Sequence, residues 1–568
     1  MKILGICHDV LICSAALLID GEVVAAIAEE RLDRQKQSRH FPALAVQRCL
    51  SMAELKFSDL DEVAVAWNPS LEMDTVPSGF LSRRWRSEHL SQVAARFSQL
   101  FPAPPSAELQ LLGVRQGLPP ITFVDHYHAH LGNALYLSPF ENCAVAVLDG
   151  RGEKQTSLLG LAEGTRFTAL SEVKFPHSLG LFYGAVTQHL GFKPDGDEWK
   201  VMALASFASP DNGYLEPMRQ LVRLDGRGGF ELDLGYFEFF NFFEPKMYSQ
   251  RYIDVFGPPR RRDQPLEPRH YEIAAAAQKV FEDAVSALLH WLHERTGQAH
   301  LVVGGGCFMN SAYNGKITSQ TPFRECFVGS CPDDSGTSLG AALWLHAQRT
   351  GQRPPAAMSH NYWGPAYSDE DCLSVARRYK LGPLEVCDDP GRQAAQDLLS
   401  GNILGWFQGA MEFGQRALGN RSILLDPRRS DGKDVVNSAV KFREHFRPFA
   451  PAILAEHVSQ WFECEAGTRV PFMEKVLPFR PGQGEKVPAV LHVDGTGRLQ
   501  TVDEQSSPRY RRLIQCFYEE TGVPIVLNTS FNLNGEAICC TPEDALRSFF
   551  TCGLDVLYLG NVRISKIP

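Results

Sequence analysis

No stretch of this sequence stays apolar for the roughly 20 residues that a membrane-spanning helix needs. The richest runs are cut by Asp20-Gly21 and by Asp149-Gly150. The opening MKILGICHDV lacks the apolar core and small-residue cleavage site of a secretory leader, which sets the expectation of a cytoplasmic protein. Positive charge is in deficit: 56 Lys and Arg stand against 66 Asp and Glu, a net charge of −10. A nucleic-acid binder needs a basic face to meet the phosphate backbone, so neither nucleic acid nor membrane is expected as a partner. The 14 cysteines include no CxxC pair, and most lie in apolar surroundings, as Cys143 does in ENCAVAVLD. They read as reduced, small hydrophobic residues rather than as a disulfide framework. Low-complexity tracts and short-period repeats are missing as well. With 568 residues, 44% hydrophobic and 21% charged, the chain has room for two large domains or several small ones.

What is present has a repeated plan. Met1–Ile6 reads as a short apolar strand leading to a loop with His8 and Asp9. Ser14–Ile19 and Val23–Ile27 then form a hairpin turned by Asp20-Gly21. Further on, Cys143–Leu148 is a strand ending in Asp149-Gly150-Arg151-Gly152-Glu153, followed by a hairpin of Thr156–Leu161 and Arg166–Leu170. A strand, an acidic or glycine-rich loop and a hairpin, used twice, predict two related subdomains of an α/β protein. The actin-like and sugar-kinase-like ATPase fold grips nucleotide phosphates in this way. His300–Val303 runs into Gly304-Gly305-Gly306, where glycines let backbone N–H groups approach a nucleotide or simply serve a turn. Glu325–Val328 leads through Asp333-Asp334 to an apolar helix from about Ser338 to Gln348. The polar, proline-rich stretch 349–357 fits a linker between a domain over 1–355 and another over 360–568. In the second, Ser368 and Thr541-Pro542 mark helix starts.

Three constellations could carry chemistry. In Asp125-His126-Tyr127-His128-Ala129-His130, a helix would set His126 and His130 one turn apart on one face. Two imidazoles at that spacing can bind one divalent metal or merely pack. Asp149 and Asp334 could complete a mixed nitrogen and oxygen site. A basic set in the C-terminal part comprises Arg416, Lys441, Arg447 and Arg498, suited to bidentate phosphate or carboxylate binding or to a solvated face. Asn528-Thr529-Ser530-Phe531-Asn532 ends a strand and suits ligand contacts or turn capping equally. Asp197–Met202 could line an acceptor pocket or begin a surface helix.

Taken together, these residues resemble the O-carbamoyltransferases of the NodU and CmcH type over almost the whole length. The likeness rests on SAALLIDGEVVAAIAEERLDRQK, VDHYHAH, LDGRGE, PHSLGLFYGAVTQHLGFKPDGDEWKVMALA, DDSGTSLGAA, FGQRALGNRSIL, KFREHFRPFAP and LNTSFNLNGEAI. The resemblance implies an N-terminal domain similar to the threonylcarbamoyl-transferring protein of tRNA modification, and a C-terminal YrdC-like α/β domain. It implies that the C-terminal domain makes carbamoyl-adenylate from ATP and carbamoyl phosphate, and that a hydroxyl of a small-molecule natural product, such as an antibiotic, accepts the carbamoyl group at a metal site. His126, His130, Asp149 and Asp334 look like the ligands of a divalent metal, Fe(II). Lys36, Asp149, Gly150, Arg151, Gly152, Glu153, Gly305, Gly306 and Asn310 look like adenylate contacts of the first domain. Arg416, Lys441, Arg447, Arg498, Asn528 and Asn532 look like ATP and carbamoyl phosphate contacts of the second. Related proteins point to a homodimer. His8 and Asp9 take the catalytic place of the acceptor base, with one departure: Val10-Leu11-Ile12-Cys13 separate them from Ser14, where the family has at most one residue. The rival readings are a threonylcarbamoyl-type tRNA modifier, disfavoured by net charge and by fusion of both halves, and a nucleotide-binding regulator without turnover.

Overall fold

Asp20 and Gly21 both take left-handed backbone, with φ of 52° and 85°, and this closes a tight hairpin between the strands Ser14–Ile19 and Glu22–Ala28. In the computed structural model the hairpin is one edge of a five-stranded sheet. Glu22–Ala28, Ser14–Ile19 and Lys2–Cys7 run antiparallel, and Glu62–Val65 and Ile121–Phe123 continue in parallel. The structure describes residues 1–8, 12–68, 71, 119–240, 246–355, 357–381 and 384–566. A second sheet repeats the order. Arg166–Lys174, Gln155–Glu163 and Asn142–Leu148 are antiparallel, and His300–Gly304 and Glu325–Val328 follow in parallel. One topology used twice is the duplicated actin-like, sugar-kinase-like fold expected from the sequence.

Two helices join these sheets. Thr337–Thr350 packs on the first sheet, His126–Leu135 on the second, and the two pack on each other. Their crossing is possible only because glycines face each other. A Cβ on Gly132 would lie 2.2 Å from the Gly340 oxygen, and one on Gly340 would lie 1.8 Å from the Ala129 oxygen. This close approach brings the first turn of one helix up to the first turn of the other.

The chain divides into two compact units: Met1–Glu29 with Gln37–Met358, and Glu30–Lys36 with Ser359–Pro568. The short segment 30–36 therefore leaves the first unit and folds with the second. Arg31 donates to the Gly414 oxygen, Arg34 to the Ala537 and Ile538 oxygens, and Gln35 bridges Glu536. Two arginine side chains spent on backbone acceptors, with one backbone bridge beside them, explain why it stays there.

The second unit is built on a mixed eight-stranded sheet among the described residues. Its order is Glu385–Val386, Val562–Ser565, Val556–Leu559, Leu404–Phe407, Arg421–Leu425, Ile525–Ser530, Ala450–Leu454 and Gln500–Val502. Leu404–Phe407 and Val556–Leu559 are parallel, as are Ala450–Leu454 and Gln500–Val502, and the other pairs are antiparallel. Its core includes Trp406, Leu424, Ile453 and Tyr558. Both anticipated helix starts form: Ser368 accepts from the Asp371 N–H, and Thr541 from the Asp544 N–H with Pro542 in the first turn. No helix of the described residues is long and apolar enough to cross a membrane.

Candidate functional site

Asp125 caps the helix that carries the histidines, accepting from the N–H groups of Tyr127 at 2.9 Å and His128 at 3.1 Å. From that start, the 3.6-residue period turns His126 and His130 inward together, fully buried. His128 points away, toward Trp344. Asp149 arrives from the end of the strand Asn142–Leu148, and Asp334 from the turn before helix Thr337–Thr350. His126 Nε2 lies 3.1 Å from His130 Nε2, 3.4 Å from Asp149 Oδ2 and 3.4 Å from Asp334 Oδ1. His130 Nε2 lies 3.6 Å and 3.5 Å from the same two oxygens. All four donor atoms fall within 4.8 Å of one another. Bonds of roughly 2.0–2.2 Å to a central ion set neighbouring donors about 3.0–3.5 Å apart, so this spacing fits one divalent metal. The tautomer fits too: His126 Nδ1 faces the Ala66 oxygen at 3.3 Å, which leaves Nε2 as the electron-pair donor.

The charges at this place are strongly coupled. Burial alone would lower His126, but Asp149 and Asp334 beside it lift it well above the usual histidine range. Burial alone would raise Asp149, but His126 and His130 hold it well below the usual carboxylate range. Glu153 stands behind the histidine helix. Its carboxylate accepts from the N–H of Asn68 at 2.6 Å and of His126 at 3.1 Å. Burial and then Asp125 push Glu153 up to about 8.

The other residues expected around an adenylate differ in what they do. Gly305 has φ of 92°, and a Cβ there would strike the Leu148 oxygen at 2.1 Å, so only glycine fits. The Gly306 N–H donates to Asp149 Oδ1 at 2.7 Å, tying the glycine loop to a carboxylate of the four-donor cluster. Asn310 caps Tyr313 and exchanges two hydrogen bonds with Gln278, at 2.9 Å and 3.1 Å. Gly150 has open space where a Cβ would be, and Arg151 lies over the Phe175 ring at 5.2 Å. Lys36, expected beside the adenylate of the first domain, folds instead with the second unit, where the Arg31 and Arg34 bonds carry it.

His8 is buried against Phe41, with ring centroids 5.6 Å apart. The preceding Cys7 donates its thiol to the Asp334 oxygen at 3.3 Å, so this strand ends beside the four donors. Asp9 lies outside the described residues. Of the inserted residues, Cys13 extends the strand, donating to the Ser38 oxygen and accepting from Glu29. Of the two readings of Asp197–Met202, the helix start is the one that forms: Glu198–Ala205 is a helix, and its first residue clamps the turn before it. Glu198 accepts from the Asp195 and Gly196 N–H groups at 2.7 Å each, and burial raises it to about 7. Asp197 pairs with Lys200 at 3.2 Å. Asp195, not singled out in the sequence, has φ of 61°; its carboxyl is raised by burial and then by charges that include Asp334 and Asp149. Its Asp-Gly pair was the only visible signal.

In the second unit, Lys441 closes a π-helical turn, Val436–Lys441, and is buried. Its Nζ donates to the Ser530 and Asn532 oxygens and, at 3.0 Å, to Asn532 Oδ1. Burial, and then Arg443, Arg447 and Lys36, hold Lys441 well below the usual lysine range. Arg498 donates to the Met473 oxygen at 2.7 Å and is depressed by burial and by Arg416. The expected cations thus fall into two sets, Arg416 with Arg498, and Lys441 with Arg447, which Lys36 and Arg443 join. The Asn528 amide nitrogen is engaged, donating to the Ala417 oxygen at 3.2 Å and to Gln500 Oε1 at 2.9 Å. Asn532 likewise holds Lys441 and the Glu536 oxygen. Arg443 was legible in KFREHFR, whereas nothing local marks Glu474, a buried carboxyl near Arg498.

Comparison with known proteins matches residues 2–343 to the family described as Carbamoyltransferase N-terminus, and residues 395–566 to that described as Carbamoyltransferase C-terminus. An uncharacterized protein of Synechocystis sp. is 35% identical, over 98% of this chain and 95% of its own length. Nodulation protein NolNO of Sinorhizobium fredii is 34% identical, over 97% of this chain and 78% of its own. The 3'-hydroxymethylcephem-O-carbamoyltransferase of Streptomyces clavuligerus is 30% identical, over 71% of this chain and 67% of its own.

Proposed function

The chain belongs to the carbamoyltransferase family, in its NodU and CmcH branch, and from that premise we propose that it is an ATP-dependent O-carbamoyltransferase acting on a hydroxyl of a small-molecule natural product. The observation that carries the reading is the convergence of His126, His130, Asp149 and Asp334 donor atoms within 4.8 Å at the end of duplicated sheets. Those four residues would hold a divalent ion, Fe(II) in this proposal. When bound, it supplies Lewis acidity that polarises a carbonyl and offsets the charge of a leaving phosphate.

The chain's own residues divide the remaining work. The second unit, read as YrdC-like, takes carbamoyl phosphate and ATP at Arg416, Lys441, Arg447 and Arg498, with Lys36 and Arg443 adding charge. Cations that depress one another in a buried site, as Arg416 does Arg498, are relieved by a bound anion. Water takes the phosphoryl group of carbamoyl phosphate and leaves carbamate. A carbamate oxygen then attacks the α-phosphorus of ATP, and pyrophosphate departs. In the first unit, the loop 149–153 and Gly305 flank the resulting carbamoyl-adenylate. The acceptor oxygen attacks the carbonyl carbon, the bond to AMP breaks, and the acceptor proton passes to a base. His8, which follows the Cys7 that reaches the Asp334 backbone oxygen, is assigned that proton.

The test uses purified full-length protein, ATP, carbamoyl phosphate and a panel of hydroxylated natural products. Pyrophosphate release that requires carbamoyl phosphate, together with carbamoyl addition seen by mass spectrometry, is the expected result. Release that instead requires threonine and bicarbonate, or no release, overturns the reading.

A further inference from the structure

Residues 413–421 form a loop whose sequence, FGQRALGNR, contains two arginines of opposite fate. Arg421 is fully buried. Its guanidinium lies 3.7 Å over the Phe407 ring and donates to the backbone oxygens of Gln408, Gly409, Asn420 and Pro365. With both terminal nitrogens engaged in this way, Arg421 is a fastening of the loop. Arg416 stands at the other end and is felt electrostatically by Arg498.

One side chain holds the loop between them. Glu412 is buried, and its Oε1 alone accepts from the N–H groups of Leu418 at 2.7 Å, Asn420 at 2.9 Å and Arg421 at 3.3 Å. Three backbone donors aimed at one charged oxygen are a strong fixture in a low-dielectric interior. The loop's carbonyls are held from the opposite side. Gln500 donates to the Leu418 oxygen at 2.9 Å, Tyr362 to the same oxygen at 3.1 Å, and Asn528 to the Ala417 oxygen at 3.2 Å. Asn528 also donates to Gln500 Oε1, which links the two amides into one bracket. Gly414 and Gly419, with φ of 134° and 108°, supply the sharp bends that let both sets of groups turn inward.

From this juxtaposition we infer that Glu412 and Gln500 are positioning residues that act through Arg416, presetting its guanidinium for a phosphate-bearing substrate. A flexible arginine must lose its freedom when it binds an anion, whereas one mounted on a fixed loop has lost part of it beforehand. By the same geometry the Asn528 amide nitrogen belongs to the bracket. The inference rests on the proposed use of carbamoyl phosphate in the second unit, and it is tested separately from that reading.

The experiment is a double-mutant cycle on the full-length chain, with Glu412→Ala, Arg416→Ala and both together, and with Glu412→Gln and Gln500→Met as milder variants. The readouts are carbamoyl-phosphate-dependent pyrophosphate release and the thermal shift produced by carbamoyl phosphate. Glu412→Ala is expected to raise KM for carbamoyl phosphate tenfold or more with a smaller change in kcat. The same change in an Arg416→Ala background is expected to add little, because the residue it serves is already gone. Glu412→Gln keeps an acceptor oxygen and should recover most of the loss, and Gln500→Met should raise KM in the same sense. If the losses from Glu412→Ala and Arg416→Ala multiply as independent effects, or if Glu412→Ala lowers only kcat, the positioning role is refuted. If wild-type protein shows neither pyrophosphate release nor a thermal shift, the carbamoyl phosphate reading has failed, which is a separate outcome.

Discussion

Glu474→Gln should make the second unit more stable at alkaline pH while changing little at acid pH. The Glu474 carboxyl is buried at the turn before strand Val476–Pro478 and accepts from the Phe472 N–H at 2.8 Å. Burial pushes it up from 4.5 to about 7, even though Lys475, that N–H and Arg498 all pull the other way. The gap corresponds to about 3 kcal/mol of preference for the protonated form. The sign follows from the proton balance. Below the unfolded value both folded and unfolded chains keep the proton, and the native state has its full stability. As pH rises toward about 7 the unfolded chain releases the proton while the folded chain retains it, so stability is lost progressively. Above that range the whole cost is present. A neutral amide in the same place has no such dependence and can still accept from Phe472. Calorimetric scans of wild type and Glu474→Gln from pH 5 to 9 should therefore diverge. For a unit of this size the alkaline difference is at most roughly 6–12 °C. Curves that stay parallel across the range, or a variant less stable at alkaline pH, would refute the reasoning. There is a functional corollary. A carboxyl that keeps part of its proton near neutrality offsets the neighbouring Arg498 less than a full carboxylate would, and so leaves more of that charge for an anionic substrate.

Two further changes separate the proposed half-reactions. His126→Ala should abolish acceptor carbamoylation and the thermal stabilisation by added divalent ion, which for wild type is about 2.7 kcal/mol at a hundred times Kd. Pyrophosphate formation by the second unit should persist, and equal loss of both activities in a folded protein would contradict the division of labour. Arg416→Lys keeps the charge but not the bidentate fork, so carbamoyl-adenylate formation should fall tenfold or more, about 1.4 kcal/mol. Full activity with Lys would mean that the fork is not used.

What the sequence determined was local. The Asp20-Gly21 turn, the apolar runs of the strands and the Thr541-Pro542 helix start depend on residues a few positions apart, and all stand where their chemistry put them. The inward pairing of His126 and His130 is also local, because a capped helix with a 3.6-residue period allows little else. The duplicated strand and hairpin plan was legible for the same reason. Tertiary structure decided which distant groups meet. Asp334 reaches the histidines because Gly132 and Gly340 let two helices touch, and Asp149 because strand Asn142–Leu148 ends there, facts that lie in packing and not in any motif. Lys36 reads as part of the N-terminal half, yet it joins the second unit because Arg31 and Arg34 find backbone oxygens there. Arg416 and Arg421 look alike in FGQRALGNR, and only the placement of Phe407 and four carbonyls makes the second a fastening. Residue type states what a group can bond to. Which partner it finds depends on long-range packing, where burial without a partner is too costly to survive.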